Sequence, residues 1–584
     1  MKRCPECRRD YYDDTLLYCL EDGIALVQGS VPVPVSDTDE PATAILHETS
    51  APAEAQTRAQ IHTTEQTAIL STGAEAGPQE NLGGSTEKQS FSARRTKPLM
   101  VAVVAVAVLV GGFFGYRYFS ASSSTQINSI AVMPFENRSG SGDTEYLSDG
   151  LADSLIYRLS QLPNLKVSPT SSVMRYKGTT SDAAKVASEL GVDAVMTGRL
   201  SQIGDNLNIS VQLVDVKAGR VLWAEQYDRK LADLLATQRE IAATITQKLE
   251  LKLAGSDTKG ITKKYTENNE AYQAYLKGRT FWNRRTAENI KKAIAEFKSA
   301  TDLDPNFALA YAGLADCYAI LPEYAGTPAS ESLPQAKAFA ERAIAIDDQL
   351  GEPHATLGIV YVQTWQWAEA EKEYERAIEI NPNYATAYHW YSILLKNQGR
   401  YDEAAKIIMR AGELDPLSPS IGVNISMIYQ VQGDHDASIR KSLKVVELDP
   451  NYGRGYEYLG LSYLKVGRKD EAVRALEKAV ELTNRQNVVL SELGFVYGAV
   501  GKRAEAMAVA KELEDKYARK IAAGHEVAAV YSGLGDKDKA FEWLEKDFQN
   551  RDSRLNTFRW ELQFEPLRDD PRFKDLLKRM GLPE

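Results

Sequence analysis

Cysteine is scarce in this chain of 584 residues: Cys4, Cys7, Cys19 and Cys317 are all there are, three of them within the first twenty positions. A disulfide-stapled scaffold is therefore excluded, and the long remainder, with one cysteine, cannot close a disulfide on itself. Histidine is sparse and dispersed, at His47, His62, His354, His389, His435 and His525. An excess of positive charge is also missing. There are 69 Lys and Arg against 80 Asp and Glu, a net charge of −11, and no long basic run, which argues against a surface that wraps nucleic acid. No G-x-G-x-x-G, G-x-S-x-G or H-E-x-x-H occurs, and Gly501-Lys502 is followed by Arg503 without the upstream spacing of a phosphate loop. On these grounds no enzymatic activity is expected.

What is present begins with an uncharged stretch from Pro98 to Tyr116, PLMVAVVAVAVLVGGFFGY, preceded by Arg94, Arg95 and Lys97. About 20 apolar residues suffice to cross a bilayer as a helix. The stretch runs too long without charge for an ordinary core helix, and it lies too far from the N-terminus for a cleaved signal peptide. The expectation is a single transmembrane helix over 98–119. The basic flank predicts a cytoplasmic N-terminus, inner-membrane localisation and periplasmic C-terminal domains.

The head, residues 1–24, carries Cys4-Pro-Glu-Cys7 and, at the same spacing, Cys19-Leu-Glu-Asp22. Two i,i+3 pairs at tight turns can deliver three thiolates and a carboxylate to a tetrahedral ion. The head resembles a short zinc ribbon, and the resemblance implies structural Zn2+ at Cys4, Cys7, Cys19 and Asp22. The family usually has Cys or His where Asp22 stands, so a disulfide or free thiols are the competing reading. Residues 25–97 are rich in Pro, Ser, Thr, Ala, Glu and Gln, as in a disordered linker. Within it, Thr-Ala-Ile-Leu occurs at Thr43 and again at Thr67, either by compositional chance or as a pair of phosphothreonine docking sites.

Beyond residue 126 the pattern changes to short apolar runs alternating with helical spacings. Ile130–Phe135 reads as a strand, 144–162 as a helix with Leu147, Leu151, Leu155 and Leu159 on one side, and 165–168 as a second strand. Residues 181–190 read as a helix and 194–200 as a strand. The alternation Leu207, Ile209, Val211, Leu213 and its partner run VLWAEQYDR read as a hairpin. A helix from Leu231 closes an α/β domain. IAVMPFEN, YLSDGLADSLIYRLSQLPNLKV and VDVKAGRVLWAEQYDRKLADLL resemble the TolB amino-terminal-like domain over residues 126–254. That resemblance implies a binding module without catalysis. Asp149-Gly150, Asp193 and Gly198-Arg199 could line a small site or simply form turns and caps.

From Ala271 the chain is periodic at 34 residues, with units beginning at Gly351, Ala385, Pro419, Gly453, Asn487 and Ile521. The eighth position is small (Gly358, Ser392, Ser426, Gly460, Gly494), and so is the twentieth (Ala370, Ala404, Ser438, Ala472, Ala506, Ala540). These marks identify tetratricopeptide repeats, about eight over 271–554, forming an all-α superhelical solenoid with a C-terminal capping region at 555–584. Trp365 stands where Gly399, Gly433, Gly467, Gly501 and Gly535 occupy the turns of other units. The family's ninth position faces the concave groove; here that row is Ile359, Ile393, Met427, Leu461 and Phe495, an apolar stripe that either binds a partner segment or packs between repeats. His354 and His389 occupy neighbouring positions of adjacent units, where a polar groove role fits better than a two-histidine metal site.

The sequence thus predicts a multidomain membrane protein that binds other proteins or peptides in its repeat groove, as a scaffold or an envelope sensor. The alternative is a regulatory protein of the cyclase- or transcription-regulator-like type, signalling through the zinc head.

Overall fold

The structure, a computed structural model, describes residues 2–3, 10–11, 27–28, 127–139, 142–179, 182–249, 251 and 260–583. Near the N-terminus, three two-residue strands pair in the order β2–β1–β3: β1 (Lys2–Arg3), β2 (Asp10–Tyr11) and β3 (Val27–Gln28). Cys4, Cys7, Cys19, Asp22, Thr43, Thr67 and the stretch 98–119 lie outside the described residues.

The α/β domain is built on one mixed sheet. Its strands are β4 (Ser129–Val132), β5 (Glu136–Asn137), β6 (Lys166–Val167), β7 (Ala194–Ile203), β8 (Asn206–Asp215) and β9 (Arg220–Lys230), in the order β6–β4–β7–β8–β9 with β5 paired to β7. β4 runs parallel to both β6 and β7 and is buried along its whole length, as expected of a central strand covered on both faces. β7, β8 and β9 form an antiparallel meander, and the alternation read from the sequence places Leu207, Ile209, Val211 and Leu213 in the core. Four helices complete the domain: α1 (Glu145–Ser160), α2 (Thr170–Val173), α3 (Ala183–Leu190) and α4 (Leu234–Lys248).

The repeat region is a run of helical hairpins: α5 (Asn269–Asn283) with α6 (Ala287–Leu303), α7 (Ala308–Ala325) with α8 (Ala329–Ile346), α9 (Gly351–Gln363) with α10 (Trp367–Ile380), and α11 (Ala385–Asn397) with α12 (Tyr401–Leu414). They continue as α13 (Pro419–Val431) with α14 (His435–Leu448), α15 (Gly453–Lys465) with α16 (Lys469–Leu482), α17 (Asn487–Ala499) with α18 (Arg503–Ala518), and α19 (Gly524–Gly533) with α20 (Lys537–Gln549). After α20 come two short 3-10 turns, Ser553–Thr557 and Leu562–Leu567, and α21 (Pro571–Arg579). The small positions do what close helix packing demands. A Cβ at Gly358 would stand 2.5 Å from the Tyr374 ring, and the alanines of the twentieth position are fully buried. The five turn glycines adopt φ between 77° and 90°, a left-handed conformation that a side chain opposes.

The domain and the repeats belong to one compact unit, and a single apolar core runs from Ile127 through Leu350. Arg279 of α5 donates to Asp153 of α1 at 2.9 Å, and Thr170 and Asn283 donate to the same carboxylate. Asn383 donates to the carbonyls of Leu162 at 2.8 Å and Leu165 at 3.1 Å; Asp415 accepts from Ser171 and Ser172. Repeat turns and first helices are thus stitched to α1 and to the loops around β6.

The inner-membrane, single-pass localisation expected from the apolar stretch is corrected: among the described residues no helix is long and apolar enough to cross a membrane. The reason lies in their amphipathic build. The 18-residue α8 carries Glu331, Lys337, Glu341 and Arg342, and the more apolar α7 carries Asp316, Pro322 and Glu323.

Candidate functional site

The ninth-position row changes character along the array. Ile359 and Ile393 are half-buried, whereas Met427, Leu461 and Phe495 are 5%, 2% and 4% exposed. The backbone of Phe495 lies against Gly533 on α19, so close that a Cβ on that glycine would overlap it. The three share one apolar cluster with Leu555, Phe558, Trp560, Phe564 and Leu567, which follow the last repeat.

That C-terminal segment reaches back to much earlier repeats. Trp560 donates its indole N–H to Asn397 Oδ1 at 2.8 Å, and the Lys396 ammonium sits 3.7 Å from the Trp560 ring centroid and 3.0 Å from Met427 Sδ. Trp367 donates to the Met580 carbonyl at 3.0 Å, and Lys465 pairs with Glu565 at 2.8 Å. Trp365 stacks on Phe548 of α20 at 5.8 Å. The third repeat therefore touches the eighth, and the curved array is closed by its own C-terminus.

Ionisable groups are buried beneath this closure. Burial brings the Lys396 amine down to about 7, with Glu561 opposing the shift. Burial pushes up the carboxyls of Glu457, Glu492 and Glu561; Arg454, whose Nε is 3.3 Å from Glu457, opposes the first of these shifts. Asp547 is buried and accepts from the backbone N–H groups of Gly524 and His525 at 2.6 Å each, satisfying orphan donors at the start of α19.

Two cavities bear on function. One of about 580 Å³ lies beyond the C-terminal end of β4, against the middle of β7 and β8. Its wall neutralises itself: Lys177 pairs with Glu145 and with Asp149 (2.6 Å), and Arg199 with Glu136 (3.2 Å). Gly198 lets the Phe135 ring approach and Gly150 lets Leu276 approach. Asp193 accepts from the Asn128 backbone and the Ser129 hydroxyl and pairs with Lys217, fixing a turn. The other cavity, about 1270 Å³, lies where the loop between α7 and α8 and the turn at Trp365 meet the ends of α18 and α20.

The two histidines are not brought together. His354 Nδ1 is 2.6 Å from Glu373, and His389 Nε2 is 2.8 Å from Asn424 Nδ2. Burial lowers His389 to about 3, so its ring is neutral and accepts from the amide. Among the described residues no group of three or more His, Cys, Asp and Glu could hold a metal ion. Sequence reasoning missed Arg279, Asn383, Asp415 and the Lys396–Trp560 contact. Asn383 and Asp415 sit beside Pro382 and Pro416 in inter-repeat turns, a polar signal that the sequence does carry.

Comparison with known proteins agrees with this architecture. Tetratricopeptide-repeat models match residues 351–384, 373–406 and 454–486, which establishes that repeat class for the helical region. Residues 125–244 match the model described as "HilA/YgeH-like transcriptional regulator, second domain". Among curated relatives, "Putative adenylate cyclase 3" of Rhizobium meliloti (strain 1021) is 33% identical over 234 residues, 40% of each chain. Transcriptional regulator HilA of Salmonella typhimurium is 22% identical over 240 residues, 40% of this chain and 41% of that one. The chain thus spans about two fifths of the length of these relatives. Similar solved structures include Pseudomonas aeruginosa pilF (20% identity, TM-score 0.29, 35% of this chain and 92% of that one). Another is YrrB, "a TPR protein with an unusual peptide-binding site" (20% identity, TM-score 0.25, 33% of this chain and 95% of that one).

Proposed function

We propose that this protein is a protein–protein interaction scaffold whose α/β domain and tetratricopeptide array act as one rigid binding body. The observation that carries the reading is the weld between them: Arg279–Asp153, Asn383 on the α1–β6 loop and Asp415 on α2 tie the two parts together. A rigid body presents preformed surfaces, which lowers the ordering cost of binding. The TolB-like resemblance and the proposed structural zinc at Cys4, Cys7, Cys19 and Asp22 fit a protein built from binding modules.

A second reading is favoured by the relatives. The match over 125–244 and the rhizobial likeness come from proteins named as a transcriptional regulator and a cyclase, so the shared segment would be the partner-sensing part of a regulatory protein. The test is reconstitution. A partner captured by crosslinking is purified and rebound to the purified chain, alongside an assay of ATP conversion to cyclic AMP. Saturable binding without cyclic AMP supports the scaffold; cyclic AMP production by the purified chain overturns it. For the head, elemental analysis should find one zinc per chain, lost in Cys7→Ser.

A further inference from the structure

The departures of the array from its own repeat rule meet at the 1270 Å³ cavity. α7 and α8 are 18 residues each and are joined by a loop containing Gly326 and Pro328; α18 has 16 residues where the second helices of the four preceding units have 14. Trp365 replaces the turn glycine of the other units. All of these lie on the wall, together with the segment that follows α20. The volume exceeds the roughly 300–1,000 Å³ of ordinary small-molecule sites.

The wall is strained where it would be simplest to relax. Six described residues other than glycine have positive φ, and three of them line this cavity: Trp365 at 62°, Lys520 at 59° and Arg551 at 49°. A bulky residue held there costs on the order of 1–3 kcal/mol, and such strain collects at binding sites. Trp365 contributes a half-buried indole that stacks on Phe548. Ile521, on the same wall, is 56% exposed.

Charge sets the ligand's sign. Lys520 and Arg551 are exposed and form no ion pair among the described residues. Of the lining acids, Asp547 is engaged by the N-terminus of α19 and Asp552 by Arg554, which leaves Glu331. In a chain of net charge −11, this cavity offers unpaired cations and exposed apolar surface together.

We propose that the cavity binds an extended acidic segment of a partner protein. Its apolar or aromatic side chain lies against Trp365 and Ile521, and its carboxylates meet Lys520 and Arg551. The proposal rests on the scaffold reading and names its site and partner chemistry. Phosphate or a small organic acid would satisfy the cations but leave most of the volume and the apolar wall unused.

The probe is a random peptide library panned on the full chain, with enriched peptides resynthesised and titrated by calorimetry. Peptides combining Asp or Glu with an aromatic residue should emerge, and Lys520→Glu/Arg551→Glu and Trp365→Gly should each weaken them about tenfold or more. Trp365→Gly installs the residue that the sister turns use, so its loss of binding cannot be ascribed to a broken turn. Unchanged affinity in both variants overturns the proposal. If affinity falls only in Ile359→Asp or Ile393→Asp, the assignment of the site is wrong while the scaffold reading stands. If the wild-type chain enriches nothing, the scaffold reading falls and this proposal with it.

Discussion

Repeats three and four leave Ile359 and Ile393 half-buried on their ninth position, whereas repeats five to seven bury Met427, Leu461 and Phe495 in a core shared with Leu555, Phe558, Trp560 and Phe564. Apart from the turn at Trp365, the local helix-turn-helix code is the same in both halves. The difference comes from what each half meets in space: the earlier repeats turn their inter-repeat loops toward α1 and the loops around β6, and the later ones receive the chain's own C-terminus. A periodic sequence therefore specifies the repeating unit, and contacts between residues hundreds of positions apart decide which faces remain available.

Removal of residues 553–584 should break this contrast most severely. Leu555, Phe558, Trp560, Phe564 and Leu567 are buried, and each contributes about 1.5–3 kcal/mol by burial, on the order of 10 kcal/mol together. Hydrogen exchange should show α13–α20 losing protection while α5–α8 and the α/β domain keep theirs. Equal loss in both halves would show that the array folds as one cooperative block and that the comparison is misplaced.

The other half is probed at the weld. Arg279→Ala leaves the Asp153 carboxylate buried without its partner, at a cost of about 3–5 kcal/mol. The loss should appear as a lower melting temperature and faster proteolysis between α4 and α5. Burial disfavours Asp153 ionisation, yet Arg279 and the Thr170 and Asn283 donors hold its pKa below the ordinary value. Its contribution is therefore complete above an unfolded pKa of about 3.9 and is lost only as pH falls through the lower folded value. Wild type should keep the interface at mildly acidic pH.

Lys396 gives an effect of the same sign in a more alkaline window. Its folded pKa of about 7 lies below the unfolded value of about 10.4, so between these limits the unfolded chain binds more protons. Its contribution to stability rises with pH by about 1.4 kcal/mol per unit across that window. Lys396→Met should remove that slope, measured by denaturant titration from pH 7 to 10. An unaltered slope would mean that Lys396 is solvated and the closure over it is loose.

Much of this was legible in the sequence, unevenly. The 34-residue period located the helices from Gly351 onward because small residues at the eighth and twentieth positions have only local reasons to be small. The alternation at Leu207–Leu213 located β8, since one face of a strand must be buried. β5 and the full length of β7 were missed; Glu136–Asn137 is too short and polar to signal a strand, and its pairing to Arg199–Leu200 is non-local. Which of the two roles left open for the ninth-position row each residue takes could not be decided from sequence. Nothing in FRWELQFEPL says that Trp560 will sit over Lys396, because apolar residues identify a buried surface without naming what covers it.

The finest test of the contrast is at Trp365, where one residue belongs to the repeat rule through its backbone and to the closure through its ring. Trp365→Gly removes left-handed strain worth about 1 kcal/mol or more and forfeits stacking on Phe548 worth about 0.5–1.5 kcal/mol together with the burial of a half-buried ring, so it should destabilise by about 1–2 kcal/mol. Trp365→Ala loses the same ring and keeps a Cβ at positive φ, so it should be the less stable variant by about 1 kcal/mol. The gap between the two substitutions measures the backbone alone, and the gap between Gly and wild type measures the ring against that strain. If Ala and Gly prove equally stable, the turn in solution does not hold φ near 62°. The third repeat would then reach the eighth by a route other than the Trp365–Phe548 stack.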